Sequence, residues 1–233
     1  MPDISAENYT FPSNRATRTA QQMYLVNGKV IKSMMTTYTN EKLRMVQEYD
    51  IKGALATLQQ GGILLYPTDT IWSIGCDATN PQAIEKVYHI KQKTNGKGCE
   101  ILVDSLPMLR NYIAHLHPKL ETLLVYHTRP LTVMFDKPRN LPANALAPDG
   151  TVAIQVVQDE FCRSLINALG KPLLAAFAST HEGTFPVNFG AISSEIIEQV
   201  DFVVKYRQHE KALHEPAVMV KLTRRDELVF LRE

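Results

Sequence analysis

Cysteine is scarce in this chain. Cys76, Cys99 and Cys162 are odd in number and none stands in C-x-x-C spacing, so neither a disulfide framework nor a thiolate metal site is suggested, and a reducing compartment is expected. Long apolar runs are missing as well: none approaches the roughly 20 residues that a spanning helix requires, which argues against a membrane protein. The opening stretch MPDISAENYTFPSNRATRTAQQ lacks the apolar centre of a secretion signal. Its arginines and hydroxyls faintly suit an organellar transit peptide, but Asp3 and Glu7 weigh against that, and the cytoplasm is expected. Excess charge is absent too. With 25 Lys and Arg against 24 Asp and Glu the net charge is +1, so no global basic field points to long nucleic acid, and any RNA contact needs a local patch.

Missing motifs remove whole reaction classes. There is no G-x-x-x-x-G-K-[ST], no G-x-G-x-x-G after a strand, no H-E-x-x-H and no G-x-S-x-G, which excludes Walker loops, dinucleotide folds, zincins and nucleophile elbows. His115 and His117 stand two apart on a predicted helix and face different directions, a poor geometry for a shared metal.

What is present is a chain of 233 residues, 45% of them hydrophobic, enough for one large domain with a core of its own. Residues 1–46 are rich in Thr, Asn and Ser with weak periodicity and form an atypical extension, and the folded domain is placed at 47–233. Ile51, Ala54, Leu55 and Leu58 recur at helical spacing up to Gly61. ILLYP follows as a buried strand. Asn80 and Pro81 then open a helix with a basic finish, and EILV is the next strand, a βαβ unit. Helices are predicted at Pro107–His117, Pro118–Tyr126, EFCRSLINALG and Ile192–Gln199. Strands are predicted at LTVMF, TVAIQVV, PLLAAFAST, around Phe202, at Ala217–Leu222 and at Leu228–Leu231. Alternation of this kind means α/β with a mixed sheet.

Two clusters could carry chemistry. Thr68, Asp69 and Thr70 follow a strand, where open α/β sheets bind ligands, although the same residues also suit a capped turn. Lys91, Lys93 and Lys97 end the next helix, where cations also complement the helix dipole. A βαβ unit returns its second strand beside its first, which would bring the two clusters face to face.

The stretch PTDTIWSIGCDATNPQAIEKVYHIKQKTNGKGCEILV resembles the signature of YrdC-like proteins, the threonylcarbamoyl-AMP synthases that begin threonylcarbamoyladenosine formation on tRNA, where P-T-[DE]-T-V-Y-G-L-G precedes K-x-R and a further Lys. RPLTVMF is similar to the family's P-G-P-x-T segment, TVAIQVV to V-A-I-R-V-P, STH to S-x-N, and EPAVMV to P-S-T-[IV]-V. The likeness runs from about Asp50 to the end.

The resemblance implies a large twisted mixed sheet with flanking helices, a YrdC/RibB-like fold, and a concave cavity for ATP, threonine and bicarbonate, with Mg²⁺ on the phosphates. It implies that Thr68, Thr70 and Thr132 hold the amino acid, that Trp72 walls the pocket in place of Tyr, and that Lys91, Lys93, Lys97, Ser179 and His181 meet the nucleotide. No protein nucleophile is implied; positioning and charge stabilisation carry such a reaction. The departures are Lys93 for the Arg of K-x-R, Gln155 for the Arg of V-A-I-R-V-P, His181 for Asn, Ala217 for Ser, and Leu102 for a frequent His. A charge-assisted hydrogen bond contributes about 1.5 to 3 kcal/mol, so weakening two lowers nucleotide affinity by roughly 10² to 10⁴. Arg129, Arg139 and Arg163 are the candidates to compensate. The alternative is therefore a non-catalytic YciO-like protein that binds nucleotide or double-stranded RNA.

Overall fold

The computed structural model describes residues 24–26, 29–31, 34–92, 98–180, 185–210, 215–223 and 225–233, with side chains from Arg44 onward. The chain divides into two units between Val46 and Gln47. In the first, β1 (Tyr24–Val26) and β2 (Lys29–Ile31) pair antiparallel with Leu25 opposite Val30, strands that the Thr- and Asn-rich composition does not announce.

The second unit takes in the carboxyl-terminal half of α1 (Met34–Gln59), then β3 (Leu64–Tyr66), β4 (Ser73–Asp77), α2 (Pro81–Lys91), β5 (Cys99–Val103), α3 (Leu106–Tyr112), α4 (Pro118–Tyr126), β6 (Leu131–Phe135), β7 (Val152–Val156), α5 (Glu160–Leu169), β8 (Leu173–Phe177), α6 (Ser194–Gln199), β9 (Phe202–Val203), β10 (Val218–Leu222) and β11 (Leu228–Arg232). Among the described residues these strands form one mixed sheet in the order β11-β10-β6-β7-β5-β8-β4-β3-β9.

Local chemistry sets the helix ends. The Asn80 side chain accepts from Gln82 N and Ala83 N at 3.1 Å each, Pro81 takes the first helical position, and Gln92 closes α2 in the left-handed region. Asp159 accepts from Cys162 N at 2.8 Å at the start of α5, and Gly170 ends it at φ 69°.

The expected βαβ unit is corrected. SIGCD is a strand in its own right, β4, hairpinned antiparallel onto β3. β5 does not return beside β3; it pairs with β7 and β8, and β8 lies between β5 and β4, antiparallel to both. A strand of Ser, Ile, Gly, Cys and Asp has little intrinsic strand signal, and its pairing partner comes from a hundred residues further on.

Side chains alternate across the sheet. One face buries Leu65, Ile74, Ile101, Val133 and Ile154 with Ile84 and Val87 of α2, Leu109 of α3, and Leu120 and Leu124 of α4. The other buries Leu64, Tyr66, Leu102, Leu173 and Ala175 under Ala54 and Leu58 of α1 and Phe161, Leu165 and Ile166 of α5. That second face turns polar toward β10 and β11: Leu102 is in register with Gln155 and Gln155 with Thr132, while Glu100 lies two residues from Leu102 on the same side. Among the described residues no helix is long and apolar enough to cross a membrane.

Candidate functional site

Pro67 ends β3, and the loop to β4 is shaped by its own hydroxyls. Thr68 Oγ1 donates to Ile71 O at 2.8 Å and accepts from Thr70 N at 3.1 Å. A hydroxyl has one proton, so in the 2.9 Å contact between the two hydroxyls Thr70 is the donor and Thr68 the acceptor. Thr68 is thereby saturated, and Thr70 retains only acceptor capacity. Both are buried. Arg207 Nη1 donates to Thr68 O at 2.9 Å and meets Asp159 Oδ2 at 3.2 Å, and its Nε meets Glu210 Oε2 at 2.6 Å. Burial works against this guanidinium's charge, but Glu210 and Asp159 more than offset it and hold its pKa above the usual value.

Asp69 leaves its neighbours and crosses to β7. Its Oδ1 accepts from Gln155 Nε2 at 2.8 Å and its Oδ2 from Gln158 N at 3.1 Å. Burial raises the carboxyl pKa, with Asp159 adding to the rise and both hydrogen bonds opposing it. Gln155, which stands where the resemblance expects an arginine, is thus spent on Asp69.

Lys91 is the last residue of α2 and is 6% exposed. Its ammonium donates to Phe177 O at 2.5 Å and to Ser179 O. Phe177 is in register with Ser73, and Ala178 N donates to Trp72 O at 3.0 Å. Trp72 is buried, with its ring 5.0 Å from Phe189 in an edge contact. The structure therefore gathers Lys91, Ser179 and Trp72 at one junction, with the Thr68–Thr70 hydroxyl pair just upstream of Trp72. Lys93, Lys97 and His181 lie outside the described residues.

Thr132 lies elsewhere on the same sheet and is fully buried. Its hydroxyl donates to Glu100 Oε2 at 2.8 Å, and Glu100 Oε1 accepts from Arg232 Nη2 at 2.8 Å. Arg232 also donates from Nε to Ala217 O at 2.6 Å and lies 5.7 Å from the centre of the Phe177 ring. β11 and β5 are four steps apart in the strand order. In a flat sheet four steps span roughly 19 Å, beyond the joint reach of a glutamate and an arginine, so the sheet curls and this pair straps its concave face.

Arg129, Arg139 and Arg163, the expected compensators, are all exposed, and Arg129 lies 3.7 Å from Glu215. Sequence reasoning missed Glu100, Arg232 and Arg207. The signal for Glu100 was there: a lone carboxylate inside the strand CEILV. His117 is a helix cap, its Nδ1 accepting from Lys119 N at 3.2 Å. Cys76 and Cys162 are buried thiols whose pKa values burial pushes up, which makes them inert small hydrophobes. Two clefts border other residues: one of about 520 Å³ is lined by Asp77, Asn80 and Lys171, and one of about 270 Å³ by Lys86, His89 and Asp201. Among the described residues no group of three or more His, Cys, Asp or Glu side chains could hold a metal ion. Asp69 and Asp159 each have both carboxylate oxygens in hydrogen bonds or an ion pair, with Gln155 and Gln158 on Asp69 and with Cys162 N and Arg207 on Asp159.

Residues 56–233 match the family model Sua5_yciO_yrdC, described as "Telomere recombination". The threonylcarbamoyl-AMP synthase of Pseudoalteromonas translucida is 26% identical over 163 residues, covering 69% of this chain and 87% of that protein. That of Moraxella catarrhalis is 32% identical over 127 residues, 49% of this chain and 61% of that protein. Among solved structures, P. abyssi Sua5 complexed with L-threonine superposes with a TM-score of 0.70 at 19% identity, over 79% of this chain and 54% of that one. E. coli YciO superposes with a TM-score of 0.67 at 22% identity, over 82% and 89%. At these identities the superpositions establish the fold.

Proposed function

Because the chain belongs to the Sua5/YrdC/YciO family, we propose that it is a diverged L-threonylcarbamoyladenylate synthase-like protein that binds ATP, with Mg²⁺ carried on the phosphate oxygens. In that reaction the threonine amine and bicarbonate form a carbamate with loss of water, a carbamate oxygen attacks the α-phosphorus of ATP, and the bond from that phosphorus to the β-phosphate bridging oxygen breaks as pyrophosphate leaves. No side chain is a nucleophile; the chain's part is to bind and orient.

The observation that carries the reading is the junction at Trp72. The Lys91 ammonium is held at Phe177 O and Ser179 O beside it, and the Thr70 hydroxyl, with acceptor capacity only, lies on the loop leading into it. A fixed cation and an acceptor hydroxyl suit a phosphate and a ligand amine respectively. A second reading, a non-catalytic nucleotide- or double-stranded-RNA-binding protein, is favoured by Gln155, which brings no charge to the site and is bound to Asp69.

Pyrophosphate release from ATP, measured with Mg²⁺ and dependent on both threonine and bicarbonate, tests the first reading. ATP binding by calorimetry without that release supports the second. No ATP binding removes the nucleotide from both and leaves RNA binding, which a salt-titrated gel shift decides.

A further inference from the structure

β11 is an edge strand that is apolar where edges are ordinarily guarded. Among the described residues β10 is its only strand partner. Leu228, Val229, Phe230 and Leu231 run consecutively along it and are 37%, 42%, 51% and 53% exposed. The opposite edge, β9, is two residues long and too short to recruit a strand. β11 has five residues, none of them Lys or Pro, the residues that commonly blunt an edge. Its ladder with β10 shows which way the backbone faces. Thr223 N donates to Glu227 O at 2.9 Å, so Glu227 turns its carbonyl toward β10. With Lys221 opposite Val229 and Leu222 opposite Leu228, alternation turns Val229 inward as well, and the N–H and C=O groups of Leu228 and Phe230 outward. The register shift at Met219 and Val220 lies past Phe230, so Leu228–Phe230 stays regular.

Outward groups two residues apart are what an identical strand, turned by a two-fold axis, can match. Pairing Leu228 with its own copy sets Phe230 against Asp226, and pairing Phe230 with its own copy sets Leu228 against Arg232 and Glu227 against Glu233. Pairing Leu228 with Phe230 avoids both conflicts: it sets Val229 against Val229 on the axis and brings exposed Arg225 opposite exposed Glu233 on either flank, opposite charges on both sides. We propose that β11 is a homodimerisation edge, pairing antiparallel with β11 of a second copy of this chain in that register and joining two nine-stranded sheets into one. Such an axis stands perpendicular to the sheet, so both concave faces open to the same side. Arg232 spends its grips on Glu100 and Ala217 O within its own sheet, so pairing leaves the strap in place. A contact resting on one short strand buries less than the roughly 1,200 Å² of a standard interface, so the dimer is a micromolar one.

Sedimentation equilibrium of the full chain tests it. Wild type is expected to show a monomer–dimer equilibrium with a Kd of about 10 μM, and Phe230→Lys to weaken it by about 10-fold or more. Val229→Cys reads the register. In the proposed pairing Val229 and its copy form a non-hydrogen-bonded pair with Cα atoms about 4.5 Å apart, within disulfide reach, whereas the two Leu231 positions lie about 14 Å apart. Diamide, which oxidises two thiols to one disulfide, is therefore expected to convert Val229→Cys to a covalent dimer. It is expected to leave Leu231→Cys monomeric, and wild type too, in which Cys76 and Cys162 are buried. A wild type that stays monomeric at about 200 μM overturns the proposal. So does a dimer that Phe230→Lys does not weaken, or Leu231→Cys crosslinking as readily as Val229→Cys. The wild-type mass and the two cysteine variants decide even if Phe230→Lys does not fold.

Discussion

Asp50 is a buried carboxylate with only one oxygen satisfied. Oδ2 accepts from Lys205 N at 2.9 Å and Tyr206 N at 2.7 Å, while Oδ1 is buried without a partner. Burial raises its pKa, and the two backbone donors and the Lys205 charge oppose the rise without cancelling it. Asp69 is shifted the same way, also chiefly by burial. A carboxyl whose folded pKa lies above its unfolded one holds its proton more tightly when folded. As pH rises from the ordinary Asp value through the raised one, the folded state therefore loses stability relative to the unfolded state. Asp50→Asn cannot titrate and keeps an oxygen for the two backbone donors. The stability of wild type minus that of Asp50→Asn is expected to fall as pH is raised from about 4 to 7 in urea denaturation, and a flat or rising difference would refute the shift. The same scale shows what the sequence conceals. The hydroxyls after ILLYP were readable because a polar run after a buried strand is a local pattern, whereas the destination of Asp69 on β7 and the hold of Arg232 on Glu100 are long-range contacts that no spacing encodes.

At the scale of elements, β6 was read to its ends and α2 from its Asn-Pro start, because caps and alternation are local. β4 was not, and Gly75 explains both why it reads poorly and why it packs well. A Cβ at Gly75 would run into the Leu174 carbonyl oxygen on β8 and stand 3.0 Å from the Tyr66 hydroxyl. The residue that lowers strand propensity is the one that lets β8 and Tyr66 close on β4. Gly75→Ala is expected to cost about 3 kcal/mol or more, since backbone cannot give way as a side chain can. Gly150 is the control: it has φ 78° and nothing within 4 Å of a Cβ, so Gly150→Ala meets only backbone strain of about 1 kcal/mol. Equal losses in thermal melts of the two variants would refute the close approach at Gly75.

For the whole molecule, alternating strands and helices made the mixed sheet legible, but strand order was not, because β8 enters between β4 and β5 from far along the chain. The extent of the folded unit follows from which residues the core uses. From α1 the core takes Ala54 and Leu58, with Ile51 and Leu55 packed against it, and Asp50 holds the Lys205–Tyr206 turn that leads into Arg207 and so to Thr68. All of these lie after Gln47, and the family match begins only at residue 56. A chain starting at Gln47 should therefore keep the nine-stranded sheet, both apolar layers and the Trp72 junction, while losing the β1–β2 pair and the upstream turns of α1. A loss of about 1 kcal/mol moves the melting point of a unit this size by roughly 3 °C, so cooperative melting within about 5 °C of the full chain, with ATP affinity unchanged, is the expected result. Non-cooperative melting, or a shift well beyond that range, would mean that residues 1–46 contribute to the stability of the second unit and that the domain begins earlier than Gln47.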